Sequence, residues 1–219
     1  IIGKLFNLFY RILISRFGQD AYGEFSLGLA LFGIISVISV LGLDTGALRY
    51  ISIYKSENNL DKIKGLLSFT TRTILILNII LGILLFIFSD YLAQNLFHNQ
   101  NLSILLKIFS FGLPFESLRT IITSTFQAFK KIEYDVISRI LVENTVKIIL
   151  TLIFIQLGLD VVSATVAYVI SLGISFIFSV ILLKTKLFNF LDKQIEAVYN
   201  NKELLVYSLP LVFNTLTLI

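Results

Sequence analysis

Charged side chains lie inside otherwise apolar segments of this sequence, and any chemistry of the protein is expected at these residues. Glu116 and Arg119 are three residues apart, and Arg139, Glu143 and Lys147 follow one another at intervals of four. Such spacing places each set on one face of a helix. A charged side chain at the centre of a bilayer costs about 2.5–3.5 kcal/mol on insertion scales, so these faces are expected to contact protein or water.

Two interpretations of these charges follow from their types. In the first, the carboxylates and cations pair, Glu116 with Arg119 and Glu143 with Lys147 or Arg139, and only hold helices together. In the second, a hydrated cavity with a net positive wall binds an anion such as a phosphate or pyrophosphate, because guanidinium groups match phosphate oxygens. Glu116 and Glu143 could then take part in coupling to an ion. The candidate substrate-binding residues are Arg11, Arg119, Arg139, Asn144 and Lys147.

The composition indicates that lipid is the solvent of this chain. Its 219 residues are 56% hydrophobic and only 15% charged, whereas a soluble domain is about a quarter charged. The chain has no cysteine and a single histidine, His98, which excludes thiol chemistry and a histidine metal cluster. We expect that the protein binds no metal and no cofactor and that it is not an enzyme. There is no methionine, even at position 1, so a fragment is expected.

Apolar runs predict an all-α, polytopic membrane protein. A spanning helix needs about 20 mostly apolar residues, and the alternation typical of barrel strands is missing from these runs. We predict six spans, the first truncated, and the start of a seventh helix at 204–219. The six spans are 1–14, 25–43, 66–89, 102–129, 136–159 and 161–183.

The connectors predict the orientation. Ten lysines and arginines lie in the connectors 44–65, 130–135 and 184–203, whereas Arg16 is the only cation in the alternate set. By the positive-inside rule the basic connectors face the cytoplasm, and the membrane is expected to be the cell (plasma or inner) membrane. Membrane topology explains these cations better than binding of nucleic acid does. The connector 184–203 is predicted to be an amphipathic linker on the inner leaflet, and Gly18 and Gly23 are predicted to form the first outer turn.

Two further features leave alternatives open. Pro114 lies in the middle of its span, where it can act as a hinge for alternating access or form a static kink, which is commoner. Ser171, Ser175 and Ser179 are four residues apart, and close helix packing is favoured for them over contact with a substrate.

The order of residues resembles a known family. The segment ISRFGQDAYGEFSLGLALFGIISVISVLGLDTGALRYISIYKSENNLDKIKG is similar to the N-terminal region of polysaccharide-exporter flippases. These are the O-antigen and lipid-linked oligosaccharide translocases of the multidrug/oligosaccharidyl-lipid/polysaccharide exporter superfamily. Two later segments, GLPFESLRTIITSTFQAFKKIEYD and YSLPLVFNTLTLI, look like the family's fourth and seventh helices. The matching short motifs are Arg16-x-Gly18, Tyr22-Gly23, Gly42-Leu43-Asp44 and Arg49-Tyr50.

This resemblance implies an architecture and a substrate. It implies two six-helix lobes that rock around a cationic cavity; residues 1–183 are the first lobe, and 204–219 begin the second. Arg11 sits where such transporters often carry a cavity arginine. The implied substrate is a lipid-linked saccharide with a pyrophosphate, exported for cell-surface polysaccharide, with glycan-assembly enzymes as further partners. The alternatives are a drug or small-molecule antiporter of the same superfamily, a membrane glycan enzyme and a non-transporting scaffold.

Overall fold

Every regular element is a helix in the part of the chain described by the structure, which is a computed structural model. The described residues are 2–187, 196–198, 204, 206–208 and 210. The α-helices are α1 (Ile2–Ser15), α2 (Gln19–Val40), α3 (Leu43–Ser56), α4 (Leu60–Tyr91), α5 (Leu102–Ala128), α6 (Ile132–Asp135), α7 (Asn144–Gln156) and α8 (Val161–Leu182). π-Helical turns extend α4 over Leu92–Leu96, join α6 to α7 over Val136–Glu143 and extend α8 over Leu183–Leu187. The prediction of an all-α fold is confirmed.

Three of the helical segments are long and apolar enough to cross a membrane. They are Gln19–Val40, Leu60–Leu96 and Val161–Leu187. Their aliphatic side chains are widely exposed; Ile76, Ile87 and Ile177 are 61%, 63% and 56% exposed. Apolar surface on this scale marks contact with a membrane or a partner, and the chain is a multi-pass membrane protein. The predicted linker 184–203 and the segment 204–219 lie mostly outside the described residues.

Backbone conformation at the ends of α2 corrects two expectations. Gly18, at φ 108°, forms the turn before α2, a conformation that glycine adopts without strain. Gly23, predicted to share that turn, lies within α2. The connector predicted over 44–65 is mostly helical, because Leu41 and Gly42 turn the chain at φ 53° and 65° and α3 follows at once. Leu43 and Ile51 of α3 are fully buried, so tertiary packing stabilises this helix despite its polar residues.

Helix α5 lies at the centre of the bundle and packs against α2, α3, α4 and α8, while α1 packs against α2 and α7. Phe109 of α5 is fully buried among three aromatic rings. The centroid of its ring lies 5.4 Å from that of Phe32, 5.8 Å from that of Phe25 and 5.8 Å from that of Tyr168. Aromatic pairs at such distances stabilise a core beyond the area they bury. This cluster holds α2 and α8 against α5.

Pro114 lies inside α5, and the helix continues on both sides of it. Because proline has no N–H, the carbonyl of Ser110 loses its helical donor. A Cβ atom at Gly82 of α4 would lie 3.2 Å from that carbonyl oxygen, so glycine allows the two backbones to approach closely. Both the static kink and the hinge at Pro114 stay predictions.

The serine stripe on α8 packs against the π-helical segment. Ser171, Ser175 and Ser179 are buried, and the hydroxyl of Ser175 donates a hydrogen bond of 2.9 Å to the carbonyl oxygen of Ser138. Small residues that allow close approach are typical of helix interfaces in membranes. The packing interpretation of the stripe is confirmed.

Gly28 offers a test of the contact between α2 and α5. A Cβ atom there would lie 2.8 Å from the ring of Phe109, whereas a Cβ at Gly33 of the same helix meets nothing within 4 Å. We expect Gly28→Leu to lower the stability by about 1–3 kcal/mol through overpacking. Thermal unfolding in detergent measures this, with Gly33→Leu as the matched control. Equal melting temperatures for the two variants would contradict the close approach.

Candidate functional site

A cavity of about 990 Å³ lies between α1, α2 and the helix that runs from α6 to α7. Helix α1 contributes Lys4, Asn7 and Arg11, whose helical spacing places them on one face. Phe25 and Leu29 of α2 form an apolar part of the wall. The remaining polar and aromatic lining residues include Tyr10, Tyr22, Ser26, Asp135, Arg139, Glu143, Asn144, Lys147 and Tyr168.

The structure brings together most of the residues selected from the sequence. Arg11, Arg139, Glu143, Asn144 and Lys147 all line this cavity. The other three predicted residues lie elsewhere. Glu116 lines a neighbouring cavity of about 210 Å³, which Arg139 also lines. Arg119 is 3% exposed and lines neither cavity. Pro114 lies within α5.

Lys147 is a buried cation held between two tyrosine rings. Its side chain is 4% exposed, and its ammonium nitrogen lies 4.6 Å from the ring centroid of Tyr10 and 5.4 Å from that of Tyr168. Cations within about 6 Å of an aromatic face are attracted to it. In the described part of the chain no carboxylate oxygen lies within 4 Å of this ammonium. Lys147 is therefore positioned by aromatic faces, without a salt bridge that would neutralise its charge.

Arg119 bridges two carboxylates on neighbouring helices. Its guanidinium donates to Glu143 Oε2 at 2.5 Å and to Glu116 Oε2. Of the pairs in the first interpretation, Glu116 with Arg119 is present, whereas Glu143 pairs with Arg119 and forms no salt bridge with Lys147 or Arg139 in the described part of the chain. Side chains of two helices meet here, which spacing along one helix does not predict.

A chain of hydrogen bonds positions α5 beside this bridge. Ser117, next to Glu116, donates to Asn78 Oδ1 at 3.0 Å, and its hydroxyl lies 2.6 Å from that of Ser39. All three of these polar side chains are almost fully buried. Because they belong to α2, α4 and α5, the chain fixes the three helices in register around the bridge.

Asn144 is the first residue of α7, directly after the π-helical segment, and one of its polar atoms is unpaired. Its amide nitrogen donates to the carbonyl oxygens of Arg139, at 3.2 Å, and Ile140, at 2.9 Å. Its Oδ1 atom is buried without a hydrogen-bond partner in the described part of the chain. π-Helical turns occur often at functional sites, and an unpaired buried acceptor is costly unless a ligand donates to it.

The electrostatics of the cavity favour an anion. Four cations line it, Lys4, Arg11, Arg139 and Lys147, against two carboxylates. Both carboxylates already have partners, because Glu143 is bound by Arg119 and Asp135 accepts a hydrogen bond of 2.6 Å from Thr123. The wall therefore carries a net positive formal charge, and binding of an anion there stays a prediction.

Sequence reasoning missed four residues of the cavity. Tyr10 and Tyr168, which hold Lys147, were not selected, although a tyrosine in the middle of the apolar run 161–183 is itself a signal of polar surroundings. Lys4 and Asn7 were also missed, although they share a helical face with Arg11.

Comparison with known proteins gives matches in sequence and in structure. A family model described as "Polysaccharide biosynthesis protein" matches residues 1–219. The chain is similar to an uncharacterized membrane protein of Methanocaldococcus jannaschii, with 36% identity over 78 residues, which cover 36% of this chain and 15% of that protein.

Among solved structures, the fold is similar to that of transporters. An outward-facing multidrug resistance MATE family transporter of the MOP superfamily matches with a TM-score of 0.81 and 18% identity, over 98% of this chain and 49% of that one. The inward-facing conformation of such a transporter matches with a TM-score of 0.71 and 20% identity, over 95% of this chain and 49% of that one. A MOP superfamily transporter from Pyrococcus furiosus matches with a TM-score of 0.76 and 18% identity, over 98% of this chain and 49% of that one. The chain spans about half the length of these structures, so it has the fold of one half.

The bridge made by Arg119 is expected to be essential for stability. Arg119→Met leaves the buried carboxylate of Glu143 and the partly buried carboxylate of Glu116 without a partner, and the loss of one partner of a buried ion pair typically costs about 3–5 kcal/mol. We expect a marked fall in the melting temperature of the detergent-solubilised full-length protein. The triple variant Glu116→Gln, Arg119→Met, Glu143→Gln should recover part of it, because neither carboxylate of the bridge is then left without its partner.

Arg139→Met is the matched control for this prediction. Arg139 is exposed on the cavity wall and has no salt bridge within the described part of the chain. Its removal should change the melting temperature little. If Arg119→Met and Arg139→Met have the same melting temperature, the bridge does not stabilise the fold.

Proposed function

The chain belongs to the polysaccharide biosynthesis protein family, and from this premise we propose that it is half of a transporter that moves a lipid-linked saccharide across the cell membrane. The cationic cavity would bind the pyrophosphate of the substrate. The lipid tail would stay in the bilayer, and two lobes would rock to give access from each side in turn.

The observation that carries this proposal is the state of Lys147. A buried ammonium without a carboxylate partner is costly in a low-dielectric site, and an anionic ligand would relieve that cost. Arg11 and Arg139 line the same cavity and add guanidinium groups, which bind phosphate oxygens in a bidentate manner. A pyrophosphate, with several oxygens and more than one charge, suits such a set.

Other features of the cavity suit the saccharide. A volume of about 990 Å³ is large for a single phosphate and leaves room for sugar rings. Asn144 lines the cavity, and a rotation of its side chain would bring the unpaired Oδ1 acceptor to a sugar hydroxyl. The faces of Tyr10 and Tyr168 would remain occupied by Lys147.

The remaining predicted site residues take different parts in this proposal. Arg119 is a positioning residue, because it holds Glu143 at the wall and takes up the charge of that carboxylate. Glu116 and Glu143 are the candidates for coupling transport to an ion. Pro114 is the candidate hinge of α5. We further propose that residues 184–203 form a cytoplasmic linker to a second lobe that begins at 204–219, and that glycan-assembly enzymes are partners.

A similar structure supports the polarity argument. For the Pyrococcus furiosus transporter of the MOP superfamily, a reversed polarity of the binding pocket has been taken to suggest a different function. The net positive wall in this chain would disfavour organic cations, since like charges repel.

Export of drugs or other small molecules is the second candidate, because the MATE transporters share this fold. The faces of Tyr10 and Tyr168 would suit an organic cation if Lys147 moved away from them. A transport assay with the full-length protein separates the two candidates: cationic dyes should not be moved, and a lipid-linked glycan should. Dye transport without glycan transport would favour the antiporter.

Substitution of Lys147 tests the proposed binding site. Lys147→Met keeps the apolar stem and removes the charge, so we expect at least a tenfold loss of glycan export by cells that depend on the full-length protein. Arg11→Ala should also lower export. Export is measured as surface glycan, with the amount of protein in the membrane measured in parallel.

Lys107→Met serves as the control for the loss of a cation. Lys107 forms a salt bridge with Asp90 at 2.9 Å and does not line the cavity. This variant should export normally. Normal export by both Lys147→Met and Arg11→Ala, at normal protein levels, would overturn the cationic binding site.

A further inference from the structure

A second concave surface lies between α4, α5 and α8, and none of its lining residues lines the cationic cavity. It is a groove of about 470 Å³. Leu118, Ile121 and Ile122 of α5 form its floor, with Leu67 of α4 and Val180 of α8 on its two walls. Because α5 separates the other two helices, the groove runs along its surface.

The polar residues of the groove come from one stretch of α4. Lys64, Ser68, Thr71 and Arg72 line it there, whereas α5 and α8 contribute only apolar side chains. The described lining residues include no carboxylate. The groove thus combines cationic and hydroxyl groups along one wall with an apolar floor and an apolar opposite wall.

The length of α4 places these cations at the membrane surface. Asp90, near the other end of the helix, accepts hydrogen bonds from Ser103 and from Lys107 at 2.9 Å, which marks a polar boundary there. Arg72 is 18 positions before Asp90, or about 27 Å along the helix, and no charge lies between them. This distance is close to the hydrocarbon thickness of about 30 Å. Arg72 therefore lies at the opposite boundary, and Lys64 lies about 12 Å further out.

The helices that form the groove present apolar surface beside it. Ile76 of α4 and Ile177 of α8 are more than half exposed. Exposed aliphatic side chains at this depth contact acyl chains. A ligand in the groove can thus enter from the bilayer.

We propose that this groove binds an anionic phospholipid of the leaflet that the positive-inside rule assigns to the cytoplasm. The phosphate lies at Arg72, and an acyl chain lies along Leu118, Ile122 and Val180. A zwitterionic lipid of the same chain length fills the apolar part equally, but its headgroup also brings a cation close to Arg72. This site is separate from the transport cavity, and the proposal does not depend on the substrate that the cavity takes.

Lipid retention by the purified full-length protein tests this proposal. Phosphatidylglycerol and phosphatidylcholine with identical acyl chains are added in turn, and bound lipid is counted by native mass spectrometry. We expect preferential binding of phosphatidylglycerol. Arg72→Ala should lower that binding about fivefold, since a cation near anionic lipid is worth about 1 kcal/mol, and should lower the binding of phosphatidylcholine less, because the choline ammonium already offsets the charge of its phosphate. Val180→Trp, which fills the groove, should lower the binding of both lipids.

Arg16→Ala is the matched control, because it removes one arginine at the other membrane surface. It should bind phosphatidylglycerol as the unmodified protein does. Equal retention of phosphatidylglycerol by Arg72→Ala, Arg16→Ala and the unmodified protein would overturn the proposal. It would also be overturned if an isoprenoid pyrophosphate displaced the phosphatidylglycerol and Arg72→Ala abolished glycan export, because the groove would then belong to the transport path. Normal export by Arg72→Ala together with lost lipid preference supports it.

Discussion

The cost of keeping ions inside a bilayer is the constraint on which this structure depends. Arg119 meets that constraint by bridging Glu116 and Glu143 across two helices, so that two buried charges and one partly buried charge have partners. Such a bridge is weak evidence of net stability, but it is intolerant of losing one partner. It therefore fixes how α5 packs beside the π-helical segment, and the polar chain from Ser39 to Asn78 fixes the same region from the other side.

The bridge also determines the charge of the cavity. Glu143 lines the cavity, and its carboxylate would offset one cation there if it were free. Because Arg119 binds it from behind, Lys147 has only aromatic faces and distant carboxylates around it. A buried arginine that does not touch the cavity thus increases the effective positive charge of its wall. The proposed binding of an anion depends on this arrangement as much as on the cations themselves.

Much of the fold and part of the site could be predicted from the sequence. Long apolar runs predicted the helices, and depth and spacing selected five residues that line one cavity, Arg11 and Lys147 among them. Periodicity describes one helix at a time, so it could not show that Glu143 pairs with Arg119 from another helix. For the same reason it missed Tyr10 and Tyr168, whose importance comes from the position of a lysine between them. The helix α3 was missed because its polar residues hid a buried apolar face.

The two cationic surfaces of the molecule differ in how their charges are held, and this difference separates their proposed ligands. Lys147 is buried, rigidly placed and without an ion-pair partner in the described part of the chain, so a ligand there must replace water in a low-dielectric site. Arg72 is exposed at the end of an apolar groove, where its guanidinium can stay hydrated while a headgroup exchanges beside it. A buried cation discriminates strongly between ligands because an imperfect match leaves it unpaired. An exposed cation at the membrane surface favours a class of lipid by charge alone, which suits a site that is always in contact with the bilayer.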